Sequence, residues 1–256
     1  MTSDPEAAEK SAAPRPSRDT GRTSRTDHVV SGIAQMILDG DLTPGDRLPV
    51  EKDLAARFEV SRGSLREAVR ALAVLGVVQS RQGDGTYVTS LDPALLVGPL
   101  GLVVELQGAG HALHVHTVRR LLEAEAAGLA ATRGDAAADD VARAHAALSA
   151  SGQILDGSGG TVLDHGALLE ADIAFHRAIA TAAGNPVLAA LIEALAGRTA
   201  RHRLWRGTTD AGADQRTQRE HEAILDAVSD GDPERARVRM SAHLLEVEDF
   251  LRAQAG

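Results

Sequence analysis

Between Asp27 and Leu38 the apolar residues Val29, Val30, Ile33, Ile37 and Leu38 recur at helical spacing, which predicts an amphipathic helix. Asp27 is its expected N-cap, and Gly40 followed by Pro44-Gly45 ends it. A second, short helix is predicted over 50–58, with Leu54, Ala55 and Phe58 inward. A third runs over 62–75, capped by Ser61 and buried along Leu65, Val69, Leu72 and Ala73. The pattern then turns strand-like over 77–81 and 86–89, around Gln82-Gly83-Asp84-Gly85, which signals a hairpin. Helix, helix, turn, helix, hairpin is the outline of a winged helix-turn-helix.

Beyond Asp92 the reading is helical throughout. Helices are predicted near 93–107, 114–132, 135–154, 163–184, 186–207, 213–230 and 233–254. Glycine, aspartate and proline clusters separate them, among them Gly184-Asn185-Pro186 and Gly231-Asp232-Pro233. Residues 1–26 mix Pro, Ser, Arg, Asp and Ala without periodicity and read as a disordered tail. The expected organisation is a tail (1–26), a winged helix-turn-helix (27–91) and an all-α antiparallel bundle (92–256). The fold class is mainly α.

Composition sharpens this picture. Apolar residues make up 43% of the chain but aromatics only 2%, so the cores must be built from Ala, Leu and Val, which favours close-packed helices. The chain has no cysteine, which excludes disulfides and thiolate metal sites and suits the cytoplasm. No apolar run approaches a membrane span, and the polar N-terminus has no secretory h-region. The net charge of −9 is unevenly spread. Residues 15–90 carry eleven positive and ten negative charges, and residues 92–256 carry fifteen and twenty-three. The acidity belongs to the second half, leaving the first free to present a basic face to nucleic acid.

That face has candidate residues. A recognition helix sets its N-terminal residues against base edges while its neighbours hold phosphates. Here Arg62 and Arg66 lie four apart, opposite the apolar stripe, and arginine suits a bidentate contact with guanine. Ser61 and Ser64 can donate to phosphates, and Lys52 can clamp the backbone. Gln82 and Gly83 form the hairpin tip, suited to a minor groove. Two arginines alone would equally fit a solvated helix face.

In the second half, Asp172 and His176 are i and i+4, so one helix face presents a carboxylate and an imidazole together. His221 and His243 flank the Gly231-Asp232-Pro233 turn almost symmetrically, which in an antiparallel helix pair puts both at one height, about 15 Å from the turn. One Asp and three His suit zinc, nickel or manganese. Ordinary half-buried histidines fit the same spacing. His111, His114 and His116 crowd a helix start and are expected to be exposed; His28, His145, His165 and His202 read as surface or capping residues.

Leu42–Val88 resembles the GntR-family DNA-binding domain, through PGDRLP, the E-x-x-LA helix, VSR-x-x-LREA, the LG before the wing and G-x-GT-x-V within it. The resemblance implies DNA contacts by Lys52, Ser61, Arg62, Arg66 and Gly83, with Gln82 at the wing tip. Val50 departs from it where the family often has Ser or Ala, and valine caps a helix poorly. The span from about Leu95 to Leu251 resembles the FCD effector domain of the FadR subfamily. The matching stretches are VRRLLEAEAAGLAA (118–131), DIAFHRAIATAAGNPVL (172–188), REHEAILDAVSDGDPERAR (219–237) and MSAHL (240–244). The resemblance implies that Asp172, His176, His221 and His243 bind a divalent metal. It also implies that Arg119, or failing it Arg120, meets an effector carboxylate, with a salt bridge from Arg119 to Glu123 as the alternative role. The implied protein is a homodimeric regulator, most often a repressor, on a palindromic operator under control of a small carboxylate. Two alternatives are a constitutive DNA binder with a structural metal and a metal-dependent hydrolase, the latter without an evident general base.

Overall fold

Ser24 begins the first ordered element. Its hydroxyl accepts from the Asp27 amide while the Asp27 carboxylate accepts from the Ser24 amide, a reciprocal capping box that starts α1 (Arg25–Leu38). Asp27 therefore sits inside the first turn, and Ser24 is the cap in its place; a carboxylate there is also favoured by the helix dipole. The computed structural model describes residues 24–106, 111–157 and 163–255. Most of the expected tail, with Arg15, Arg18 and Arg22, lies outside them, whereas Arg25 belongs to α1.

Two compact units make up the chain. In the first (1–43 and 49–71), α1 is followed by α2 (Glu51–Arg57) and by the start of α3 (Arg62–Val74). Val29, Ile33, Leu54, Leu65 and Ala68 are among its buried apolar positions. Val50 caps α2 without any side-chain bond, as its hydrocarbon side chain dictates. Ser61 does cap α3, its hydroxyl accepting from the Ser64 amide at 3.1 Å.

The second unit (44–48 and 72–256) opens with an antiparallel hairpin, β1 (Val78–Arg81) and β2 (Gly85–Val88), in register Val78↔Val88. Segment 44–48 belongs with it because Leu48 donates to the Thr86 carbonyl and Arg47 bridges Tyr87. Gly76, before the wing, has φ +75°, and a Cβ there would lie 2.7 Å from the Leu95 carbonyl oxygen, so only glycine fits. Helices follow: α4 (Pro93–Leu106), α5 (Ala112–Thr132), α6 (Ala138–Gly157) after a 3₁₀ turn, α7 (His165–Ala182), α8 (Pro186–Thr209), α9 (Ala213–Ser229) and α10 (Pro233–Ala255). Helix α10 packs on α5 and α9, α6 on α7 and α9, and α7 on α5 and α8. Their core is alanine-rich, with Ala127, Ala130, Ala131, Ala178 and Ala227 around Phe175, Ile224 and Met240. Alanine on facing helices allows the close approach on which the site below depends. Among the described residues no helix is long and apolar enough to cross a membrane.

Candidate metal centre and nucleic-acid interface

At the start of α3, Arg62 and Arg66 are exposed, as are Lys52 and Ser61. Arg66 is held by Glu51 of α2, its Nε donating at 3.0 Å and its terminal nitrogen lying 2.9 Å from the other carboxylate oxygen. Ser61 and Ser64 share a hydroxyl–hydroxyl bond of 3.0 Å. In the second unit, Gln82 and Gly83 form the exposed tip of the wing, with Gly83 at φ +74° and open space around it.

Asp172 and His176 come from α7, His221 from α9 and His243 from α10. One potential ligand atom from each lies within 4.8 Å of all the others. The Nε2 atoms of His221 and His243 are 3.3 Å apart, and Asp172 Oδ1 lies 3.7 Å from His221 Nε2 and 3.8 Å from His176 Nε2. Donors 2.0–2.2 Å from a tetrahedral zinc stand about 3.3–3.5 Å apart, so small adjustments suffice. His176 Nε2 is buried with no hydrogen-bond partner, a cost that a metal ion would remove. His243 Nδ1 donates to Glu220 at 2.7 Å, and His176 Nδ1 donates to Glu123. Each bond turns the Nε2 lone pair toward the cluster, the usual arrangement behind a metal-ligating histidine. Phe175 stacks on the His221 ring, with centroids 4.1 Å apart.

The electrostatics suit a cation. Burial first, then the facing His243 and His176, pushes His221 well below the usual histidine range; burial likewise brings His243 to about 4. Those two imidazoles are thus neutral at neutral pH, the state in which they ligate. Burial would raise the Glu123 carboxyl, but Arg119 and His176 outweigh it and hold it below its ordinary value.

A cavity of about 50 Å³, partly open to solvent, adjoins the cluster. Asp172, His221 and His243 line it beside Arg203, Arg206, Thr217 and Gln218, with Leu155, Leu168 and Val247 as apolar wall. Arg203 donates to Asp172 and to the Ala196 carbonyl.

The family of bacterial regulatory proteins, gntR family, matches residues 25–88, and the FCD domain matches residues 114–246. The regulator LutR of Bacillus subtilis is 36% identical over 222 residues, covering 84% of this chain and 96% of that protein. The transcriptional repressor NanR of Klebsiella aerogenes is 30% identical over 239 residues, covering 92% and 88%. In structure, Streptococcus agalactiae GntR aligns with a TM-score of 0.64 at 25% identity, over 88% of this chain and 99% of that one. The chain belongs to the GntR family. Its FCD domain places it with the FadR subfamily, and it is a DNA-binding transcription regulator, not an enzyme.

This GntR protein brings its four predicted metal-site residues together, but not its two predicted effector arginines. Arg119 is fully buried, donating to Glu123 at 2.7 Å and to Thr199 at 2.6 Å, and Arg120 donates to Glu248 at 2.8 Å. Neither lines the pocket; Arg203 and Arg206 of α8 do. Arg119 makes the salt bridge of the alternative reading, one turn along its helix. Three further residues escaped the sequence reading, Glu220, which orients His243, and Arg203 and Arg206; Glu123 was read only as a partner of Arg119, and its bond to His176 was missed. Their signal was faint, an i, i+3 arginine pair and two acids within the matching stretches, because their partners lie on other helices, 31 residues away for Arg203 and 53 for Glu123.

His116 corrects another expectation. His111 and His114 are exposed as expected, but His116 is buried, with both ring nitrogens unpartnered and its ring 5.5 Å from that of His202. It lies three residues before Arg119 and shares its inward face. His202 and His165, expected at the surface, are half-buried, His165 through a 2.8 Å bond to Asp214. Burial, then Arg119 and His202, brings His116 down to about 3, with Arg203 adding to the shift and Glu123 opposing it. An unfolded histidine titrates near 6.5, so between those values the unfolded chain binds a proton that the folded one refuses, and stability falls as pH drops below 6.5. At pH 5.5 this group costs about 1.4 kcal/mol. In chelator-treated protein, His116→Leu is therefore expected to reduce the fall in Tm between pH 7.5 and 5.5. Equal falls for variant and wild type, read by scanning calorimetry, would refute this origin.

Proposed function

We propose that this protein is a homodimeric, cytoplasmic repressor whose affinity for a palindromic operator is set by a small carboxylate at a metal-containing pocket of its helical domain. In this reading residues 27–91 bind DNA and 92–256 bind effector and dimerise. Asp172, His176, His221 and His243 hold a divalent ion, with zinc favoured over nickel or manganese by the nitrogen-rich set. The observation that carries the proposal is the unpartnered, buried Nε2 of His176 facing three other donors beside a pocket lined by two arginines. Beyond its four protein donors, the bound metal would take a carboxylate oxygen as an added ligand in an expanded coordination shell. Of this chain's own residues, Glu123 and Glu220 orient the imidazoles, Arg119 locks Glu123, and Arg203 holds Asp172. Lys52, Ser61, Arg62, Ser64, Arg66, Gln82 and Gly83 are the DNA contacts. Repression is also the role of the NanR relatives, which are transcriptional repressors.

An operator fragment selected from genomic DNA, labelled and followed by fluorescence anisotropy, tests the reading. At least one small carboxylic acid is expected to shift operator affinity by about 5–150-fold, a coupling of about 1–3 kcal/mol. The shift should vanish after chelation and return with zinc. If no acid in a broad panel moves the metal-loaded curve, the effector reading fails and the metal is a staple.

A further inference from the structure

The pocket holds more cationic character than a single carboxylate needs. Arg206 is 4% exposed, and its Nε is buried with no hydrogen-bond partner. Its best-placed acid, Asp210, lies 3.9 Å away and is already bonded by Arg216. Among the described residues, its one side-chain hydrogen bond is a 3.3 Å contact to the neutral Thr217 hydroxyl. The two acids that line the same pocket are engaged elsewhere, Asp172 with Arg203 and Asp214 with His165. Arg206 is thus a buried guanidinium lining a cavity, its Nε without a hydrogen-bond partner and its nearest acid, Asp210, shared with Arg216, an arrangement that an anionic ligand would relieve.

Its position is defined. Thr217 lies one helical turn before the metal-site residue His221 on α9, so the Arg206–Thr217 pair stands about 6 Å along that helix from His221. A metal ion would add two positive charges at one end of the pocket, with Arg203 and Asp172 cancelling each other, and Arg206 supplies another at the far end.

Resting on the carboxylate reading above, we propose that the effector is a dianion, a short dicarboxylate with one carboxyl group at the metal end and the second bound by Arg206 and Thr217. The guanidinium fork matches a carboxylate in two parallel hydrogen bonds, and the Thr217 hydroxyl orients it. Leu155, Leu168 and Val247 cover the intervening carbons.

Matched acids of equal carbon count, succinate with butyrate, glutarate with valerate and adipate with hexanoate, are titrated calorimetrically into the zinc-loaded full chain. At least one diacid is expected to bind about tenfold or more tighter than its monoacid partner. In Arg206→Gln that preference should disappear while monoacid affinity and zinc content stay unchanged. If Arg206→Gln loses zinc or unfolds, Thr217→Val replaces it and is expected to reduce the preference severalfold. Monoacids that bind as tightly as diacids, or a preference that survives the substitution, overturn the second subsite while leaving the carboxylate reading intact. Failure of every acid to bind overturns both.

Discussion

Replacing His221 with leucine is expected to lower metal affinity by at least about 100-fold, since loss of a mere orienting partner already costs 10–100-fold. His221 is the substitution of choice because, among the described residues, no carboxylate depends on its imidazole for a hydrogen bond, Asp172 standing 3.7 Å away and held by Arg203. The His221 ring stacks on Phe175 and faces His243, so leucine fills similar space without stranding a buried carboxylate. His176→Leu would leave Glu123 short of a partner. In the metal-free state His221→Leu should therefore melt within a few degrees of wild type, about 1 kcal/mol. The contrast comes on adding zinc. At a hundredfold excess over Kd, binding stabilises wild type by about 2.7 kcal/mol, a rise in Tm of about 5–10 °C. The variant should show none of it. Metal content after dialysis and the zinc-dependent Tm are the measurements; a variant that keeps one tightly bound metal per chain would refute the four-residue site.

The second large effect concerns DNA. Arg62→Ala is expected to cost about 1–3 kcal/mol of operator binding, or about 5–150-fold, while leaving binding to scrambled duplex nearly unchanged. Arg62 is the first residue of α3 and exposed, and Arg66 stands one turn further along the same face. Arg66 is held by Glu51 in an ion pair whose side chains are 62% and 49% exposed. Such a solvent-exposed pair is weak, so Arg66 can exchange it for a guanine edge at little cost while being kept extended beforehand. Arg66→Ala should match Arg62→Ala in size. Lys52→Ala, at a phosphate, should instead weaken operator and scrambled duplex alike and flatten the salt dependence. Anisotropy titrations on both duplexes separate the cases. Operator affinity undiminished in Arg62→Ala would remove α3 from the role of reader.

How much of this was legible beforehand depended on whether the signal was local. Ser61 as cap of α3, the wing hairpin and the Gly231-Asp232-Pro233 turn each rest on a few adjacent residues, and each stands where the sequence places it. The symmetric spacing of His221 and His243 about that turn translated directly into a 3.3 Å approach of their rings. Where two local signals compete, the expectation and the structure part: Asp27 and Ser24 both cap well, and the serine wins because Asp27 can then close the box from the third position.

Period, caps, turns and motif spacing act within a helix or across one turn, so the elements, the family and the four donors follow from the order of residues. Which charges meet does not. Arg119 with Thr199, Arg203 with Asp172, and Glu123 with His176 join residues 31 to 80 positions apart, and each burial is set by how alanine-lined helices close on one another. Packing therefore buried His116 with both ring nitrogens unpartnered, joined Arg119 to Thr199, and left Arg206 facing the pocket with only a shared acid 3.9 Å away. Desolvation and pairing are properties of the packed bundle, and no run of neighbouring residues encodes them.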